Sequence, residues 1–102
     1  MTYPVIPTGE GVTRQVLADA PDLMVVAFRF DQAGATGALH RHRHVQATYV
    51  ASGRFRFTIA DNTFEVAAGD SFIIPSDALH GVVCLTPGEL IDTFTPRRDD
   101  FL

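Results

Sequence analysis

The stretch Gly37–Gly53, GALHRHRHVQATYVASG, carries His40, His42 and His44 at alternate positions, three of the four histidines in the chain. In an extended strand the side chains repeat every second residue and the backbone rises about 3.3 Å per residue, so His40 and His42 leave one face about 7 Å apart. Two imidazoles so placed can converge on one ion, and imidazole is the commonest side-chain ligand of first-row transition metals. A single strand histidine is ordinarily a surface or core residue. Here nearly the whole supply falls within five residues on one parity, and that clustering predicts a metal site. Gln46 follows two places after His44, and His80 stands in a second glycine-bounded segment, GDSFIIPSDALHG, from Gly69 to Gly81.

Around this stretch the composition is that of one small domain, expected to span residues 1–102. With 102 residues and 46% hydrophobic content, the chain can bury a core without disulfide staples. The single cysteine, Cys84, has no partner for an internal disulfide, suits a reducing compartment and reads as a small buried hydrophobe. There is no charged-then-apolar leader and no apolar run near 18 residues, so neither a signal peptide nor a membrane span is expected, and the location expected is cytoplasmic.

A formal charge of -4 argues against nucleic acid as a partner. Arg41 and Arg43 alternate with the histidines and should face solvent. All eight basic residues are arginines, which excludes Schiff-base and pyridoxal phosphate chemistry, because both need a lysine amine.

Read in order, residues 1–11 hold Pro4, Pro7, Gly9 and Gly11 and predict an edge strand or arm. Val12 to Ala18 alternates weakly, Asp19 to Asp22 is a turn, Leu23 to Phe30 is a β-rich run, and Asp31 to Gly37 is a loop. After the histidines, Gln46, Thr48 and Val50 share a face. A turn at Ser52 and Gly53 should lead into Phe55, Phe57 and Ile59 alternating with polar residues. Further turns are expected at Asp61–Asn62, Ala68–Asp70, Pro75–Asp77 and Pro87–Gly88. Short strands with turns every eight to twelve residues predict an all-β sandwich or barrel. In the last strand Leu90, Asp92 and Phe94 share a parity. Asp92 then either faces the interior, where it must be paired, hydrogen-bonded or functional, or bonds an arginine or solvent with the parity inverted.

These segments resemble the two motifs of the cupins. Gly37, His40, His42, Gln46 and Gly53 stand at the positions of the first motif, and Gly69, Pro75 and His80 at those of the second, with Asp77 in place of the usual glycine. The resemblance implies a cupin β-barrel, a double-stranded β-helix of the jelly-roll type. The ending from Asp92 through Phe94, Pro96, Arg97 and Arg98 to Leu102 is similar to that of one branch, the KdgF-type pectin-degradation proteins. From Gly37 to Leu102 this likeness implies one divalent transition metal ion per chain, held by His40, His42, Gln46 and His80, with His44 outside the shell. It implies Asp92, Phe94 and Arg98 as catalytic residues. Its substrates would be the 4,5-unsaturated monouronates left by pectin or alginate lyases, converted to a linear 5-keto-4-deoxyuronate. Small cupins commonly exchange N-terminal strands, so Tyr3, Val5 and Ile6 also suggest a homodimer.

The chemistry can be argued from the donors alone. Three neutral imidazoles and an amide leave a divalent ion its full charge, which favours Lewis acidity over the oxygen activation of a carboxylate-bearing triad. Asp92 is the candidate proton-transfer group, Arg98 the fork for a uronate carboxylate, and Phe94 a surface for the sugar's apolar face. Arg97 should lie in solvent or pair with Asp99 or Asp100. Two other readings are a cupin dioxygenase using iron or nickel and a non-catalytic sugar sensor.

Overall fold

The computed structural model describes residues 2–102. β1 (Val5–Gly9), β2 (Val12–Ala20) and β3 (Leu23–Phe30) form a meander at one edge, followed by β4 (Thr36–His40), β5 (Val45–Ile59), β6 (Asn62–Ala67), β7 (Ser71–Ile74) and β8 (His80–Thr95). The hydrogen-bonded order is β1-β2-β3-β8-β5-β6, with β4 added to β8 and β7 to β5, and every pairing is antiparallel. A 3₁₀ turn, Asp99–Phe101, closes the chain.

The two long strands make the barrel, and here the structure departs from the turns expected at Ser52–Gly53 and Pro87–Gly88. β5 and β8 each run through those positions and stay paired to one another on both sides, with register shifts between Val50 and Phe55. The chain bends without ending the strand, because an irregular step in the ladder sharpens the local twist. Two backbones nearly touch at this corner. A Cβ on Gly53, whose φ is +81°, would lie 2.6 Å from the Pro87 carbonyl, and one on Gly88 would collide with the Ser52 carbonyl. Glycine on both strands is therefore a steric requirement, although from sequence the same residues read as turn formers.

Alternation along the strands fills the interior. Val50, Phe55 and Phe57 of β5 pack with Cys84 and Leu90 of β8, Phe30 of β3 and Ile74 of β7 in the main core. A second cluster joins Val16, Met24, Val26 and Phe94, with Tyr3, Phe28 and Phe101 packed on it. Val12 and Val16 are buried on β2, so Arg14 between them shares the inward parity. Leu90, Asp92 and Phe94 are all buried, which settles the parity of the last strand.

β1 is the edge strand expected of the N-terminal arm. It pairs with β2 of its own chain, and its Val5 and Ile6 remain exposed.

Candidate metal centre

The histidines do not share one strand. β4 ends at His40, residues 41–44 form an irregular link, and β5 begins at Val45. The link gathers the rings more closely than a straight strand could. The His40 and His42 ring centroids are 5.5 Å apart, and His80 lies 4.4 Å from His40 and 4.8 Å from His42. His40 and His80 stand directly opposite each other in the β4–β8 pairing, which puts both side chains on one face.

The Pro75–Asp77 turn holds this link from behind. The Asp77 amide donates to the His42 carbonyl at 2.8 Å, and the Ser76 hydroxyl donates to the Arg43 carbonyl at 2.6 Å. Asp77 has φ +62°, so it adopts the left-handed conformation of the glycine it replaces, which aspartate tolerates better than most residues.

The imidazole hydrogen bonds determine what the cluster presents. Nδ1 of His40 lies 2.8 Å from the Ala38 carbonyl, that of His42 3.0 Å from the His44 carbonyl, and that of His80 2.9 Å from the Ala78 carbonyl. A carbonyl only accepts, so each Nδ1 carries the proton and each Nε2 is left as a bare lone pair. The nitrogens that these three residues could offer to a metal ion lie within 4.8 Å of one another. The His80 Nε2 is buried with no hydrogen-bond partner among the described residues. The His42 Nε2 lies 3.0 Å from the Gln46 Oε1, lone pair facing lone pair.

That amide cannot relieve the repulsion by turning over. Its Nε2 donates to the Thr48 hydroxyl at 3.0 Å, and that hydroxyl donates in turn to the Asp92 carboxylate at 2.7 Å. Burial holds the His80 pKa down to about 4 and lowers that of His42, so neither ring is protonated at neutral pH. Three clustered imidazoles whose Nδ1 atoms are taken by carbonyls, with the Gln46 oxygen beside one of them, form a donor set that fits a bound cation. His44 is buried close to His42 but falls outside the three-histidine cluster, and its Nδ1 makes no hydrogen bond among the described residues.

Asp92 is the second half of the site. It stands opposite Thr48 in the β5–β8 register, which places the hydroxyl against its carboxylate. Burial raises its pKa from 3.8 to about 6, against the hydrogen bond from Thr48 and the charge of Arg98. A cavity of about 570 Å³ is lined by His40, Gln46, His80, Asp92, Phe94 and Arg98 together with residues of β2 and β3. Phe94 props the cluster, with its ring edge-on to His42 at 5.7 Å.

The Arg98 fork is not wholly free. Its Nε and one terminal nitrogen bind Asp100 at 3.1 and 2.9 Å, and its guanidinium lies over Phe94 and Phe101. Arg97 points away and pairs with Asp99 and Asp19. Arg41 and Arg43 are exposed, as expected, although the link that carries them is not a strand.

Two residues of the site were not singled out from the sequence. Thr48 carried a usable signal, since it lies two places past Gln46 on the same face. Arg14 carried one as well, an arginine on the parity of Val12 and Val16, and it lines the cavity.

A jelly-roll barrel whose cavity is lined by His40, His80 and Gln46, with His42 clustered beside them, defines a small β-barrel class with residues that could hold a metal ion. Comparison with known proteins narrows this. The cupin domain family model matches residues 28–94. The chain is 41% identical over 96 residues to the pectin degradation protein KdgF of Dickeya dadantii (strain 3937), covering 92% of this chain and 86% of that protein. Its structure superposes on KdgF from Halomonas sp. with a TM-score of 0.91 at 38% identity, covering 98% of this chain and 92% of that one. An RmlC-like cupin from Shewanella frigidimarina NCIMB 400 gives a TM-score of 0.92 at 43% identity, covering 98% and 89%. The chain belongs to the cupin family and, within it, to the KdgF branch.

Proposed function

We propose that the protein converts 4,5-unsaturated monouronates into linear 5-keto-4-deoxyuronate, using one divalent transition metal ion per chain held by His40, His42, Gln46 and His80. The observation that carries this reading is the buried Asp92 carboxylate, joined through Thr48 and Gln46 to the histidine cluster, in a chain 41% identical to a pectin degradation protein. When bound, the ion supplies Lewis acidity toward the sugar's ring oxygen and carboxylate.

The rest falls to the chain's own side chains. Ionised Asp92 accepts the proton of the C1 hydroxyl. The C1–O5 bond then breaks to give the C1 aldehyde, and its electron pair stays on O5 as the enolate of C5. Asp92 returns the proton to C4, so the overall change is an isomerisation and the carboxylate is regenerated. A pKa near 6 suits both halves of that transfer, because it lies between those of a strong base and a strong acid. The Arg98 N–H groups not taken by Asp100 hold the substrate carboxylate, and Phe94 packs on the apolar face of the ring. The strands that carry Asp92 and Gln46 are paired and buried, which keeps both groups in place without substrate.

The direct test mixes purified protein with unsaturated galacturonate and follows loss of the ultraviolet absorbance of the C4=C5 double bond. Decay faster than a protein-free control is the expected result. Decay no faster than the control, on both pectin-derived and alginate-derived substrates, removes the reading.

A homodimer built through β1 is also proposed. β1 is an edge strand with one side of its backbone unpaired, and it exposes 52% of Val5 and 37% of Ile6, features that a partner's sheet would cover. Light scattering is expected to report twice the chain mass for the full protein and a single chain once residues 2–9 are deleted. A full chain that scatters as a monomer rules the assembly out.

A further inference from the structure

Two arginines line the cavity, and they differ in how they are held. Arg98 is fixed by Asp100. Arg14 has no ion pair among the described residues, and its Nε is buried with no hydrogen-bond partner. It projects from β2 between Val12 and Val16, opposite Phe28 of β3. Its guanidinium carbon lies 4.2 Å from the centre of the Phe101 ring, and that of Arg98 lies 4.3 Å from the same ring. A guanidinium resting on an aromatic ring gains from the ring's quadrupole but keeps its in-plane N–H donors for another partner. Withholding a partner from a part-buried cation is costly. The acidic groups that line this cavity, Asp92 and Glu10, form no salt bridge with Arg14.

We infer that Arg14 is the second arm of a carboxylate clamp, sharing Phe101 with Arg98, and that it makes the cavity selective for anionic sugars. The inference rests on the uronate reading above and adds to it a residue of β2. Arg98 contributes a donor set already shaped by Asp100. Arg14 contributes the uncommitted positive charge, and the two guanidinium groups share both the cavity and the Phe101 ring.

The test is calorimetric titration of the metal-loaded protein with two probes that lack the C4=C5 bond, galacturonate and its uncharged methyl ester. Arg14→Gln is expected to bind galacturonate roughly tenfold more weakly or worse, the worth of a lost charge-assisted hydrogen bond, with ester binding unchanged. Arg14→Lys should fall between, since a point charge replaces the fork. Arg56→Gln removes the same charge from an exposed position outside the cavity and should bind both probes as wild type does. If circular dichroism shows Arg14→Gln unfolded, Arg14→Lys carries the test by the same selective loss. Loss of acid and ester affinity by one common factor, or no loss at all, overturns the inference. A wild type that binds neither probe and leaves unsaturated uronate untouched removes the uronate reading, and the clamp with it. A wild type that binds while Arg14→Gln binds equally well removes the clamp alone.

Discussion

Asp92→Asn is expected to cut turnover of an unsaturated uronate by roughly 100-fold or more, the usual worth of a positioned general acid or base, with metal content unchanged. The amide keeps the shape of the carboxyl and can still accept from Thr48, but it cannot take the C1 proton. Stability gives a second reading that a structural role would not produce. Burial raises the folded pKa of Asp92 to about 6 from 3.8. Its protonated form therefore favours the fold, a contribution complete below about 3.8 and lost as pH rises through about 6. At pH 7 the buried charge costs stability, so the amide variant should melt at or above the wild-type temperature while losing activity. Turnover of the wild type should climb as pH rises through about 6, where Asp92 ionises, and the residual activity of the variant should lack that limb. Wild-type turnover by Asp92→Asn on every unsaturated uronate tried would leave Asp92 a structural residue.

His80→Ala should empty the site. Its Nε2 is buried, unprotonated at neutral pH and without a hydrogen-bond partner among the described residues, so beside the Nδ1 hydrogen bond to the Ala78 carbonyl the histidine offers a free lone pair. Loss of a residue that merely orients a ligand weakens metal affinity about 10- to 100-fold, and loss of a ligand should exceed the upper end of that range. Elemental analysis is expected to find about one transition-metal ion in each wild-type chain, close to none in His80→Ala, and a wild-type content in His44→Ala. The two histidines separate the site from mere histidine richness, since both are buried and only His80 belongs to the three-residue cluster. Metal lost from His44→Ala and kept by His80→Ala would reverse the assignment.

Much of the fold was legible because strand periodicity is a local property. Alternation from Phe55 to Ile59, the Leu23–Phe30 run and the parity of Leu90, Asp92 and Phe94 all appear in the barrel as read. Glycine and proline mark a change of direction without saying whether the strand survives it. At Gly53 and Gly88 it does, because the two bends face each other and each is held by the other's backbone. A residue-by-residue reading cannot hold that information, since it concerns two positions 35 apart.

The histidine spacing had a similar limit. The sequence alone determined that imidazoles and an amide would be concentrated in one short segment, and that the interior would be lined from alternate positions. The straight strand inferred for His40 and His42 does not form. Only the folded chain decided that His80 would face His40 across β4 and β8, and that the Pro75–Asp77 turn would hold the link from β4 to β5. The same holds for the relay from Gln46 through Thr48 to Asp92, which exists because register puts Thr48 opposite Asp92, and for Arg14, which lines the cavity from β2. Which side of a strand a residue faces follows from a period of two, but what it meets there depends on which strand lies across from it, and that is settled by closing the barrel.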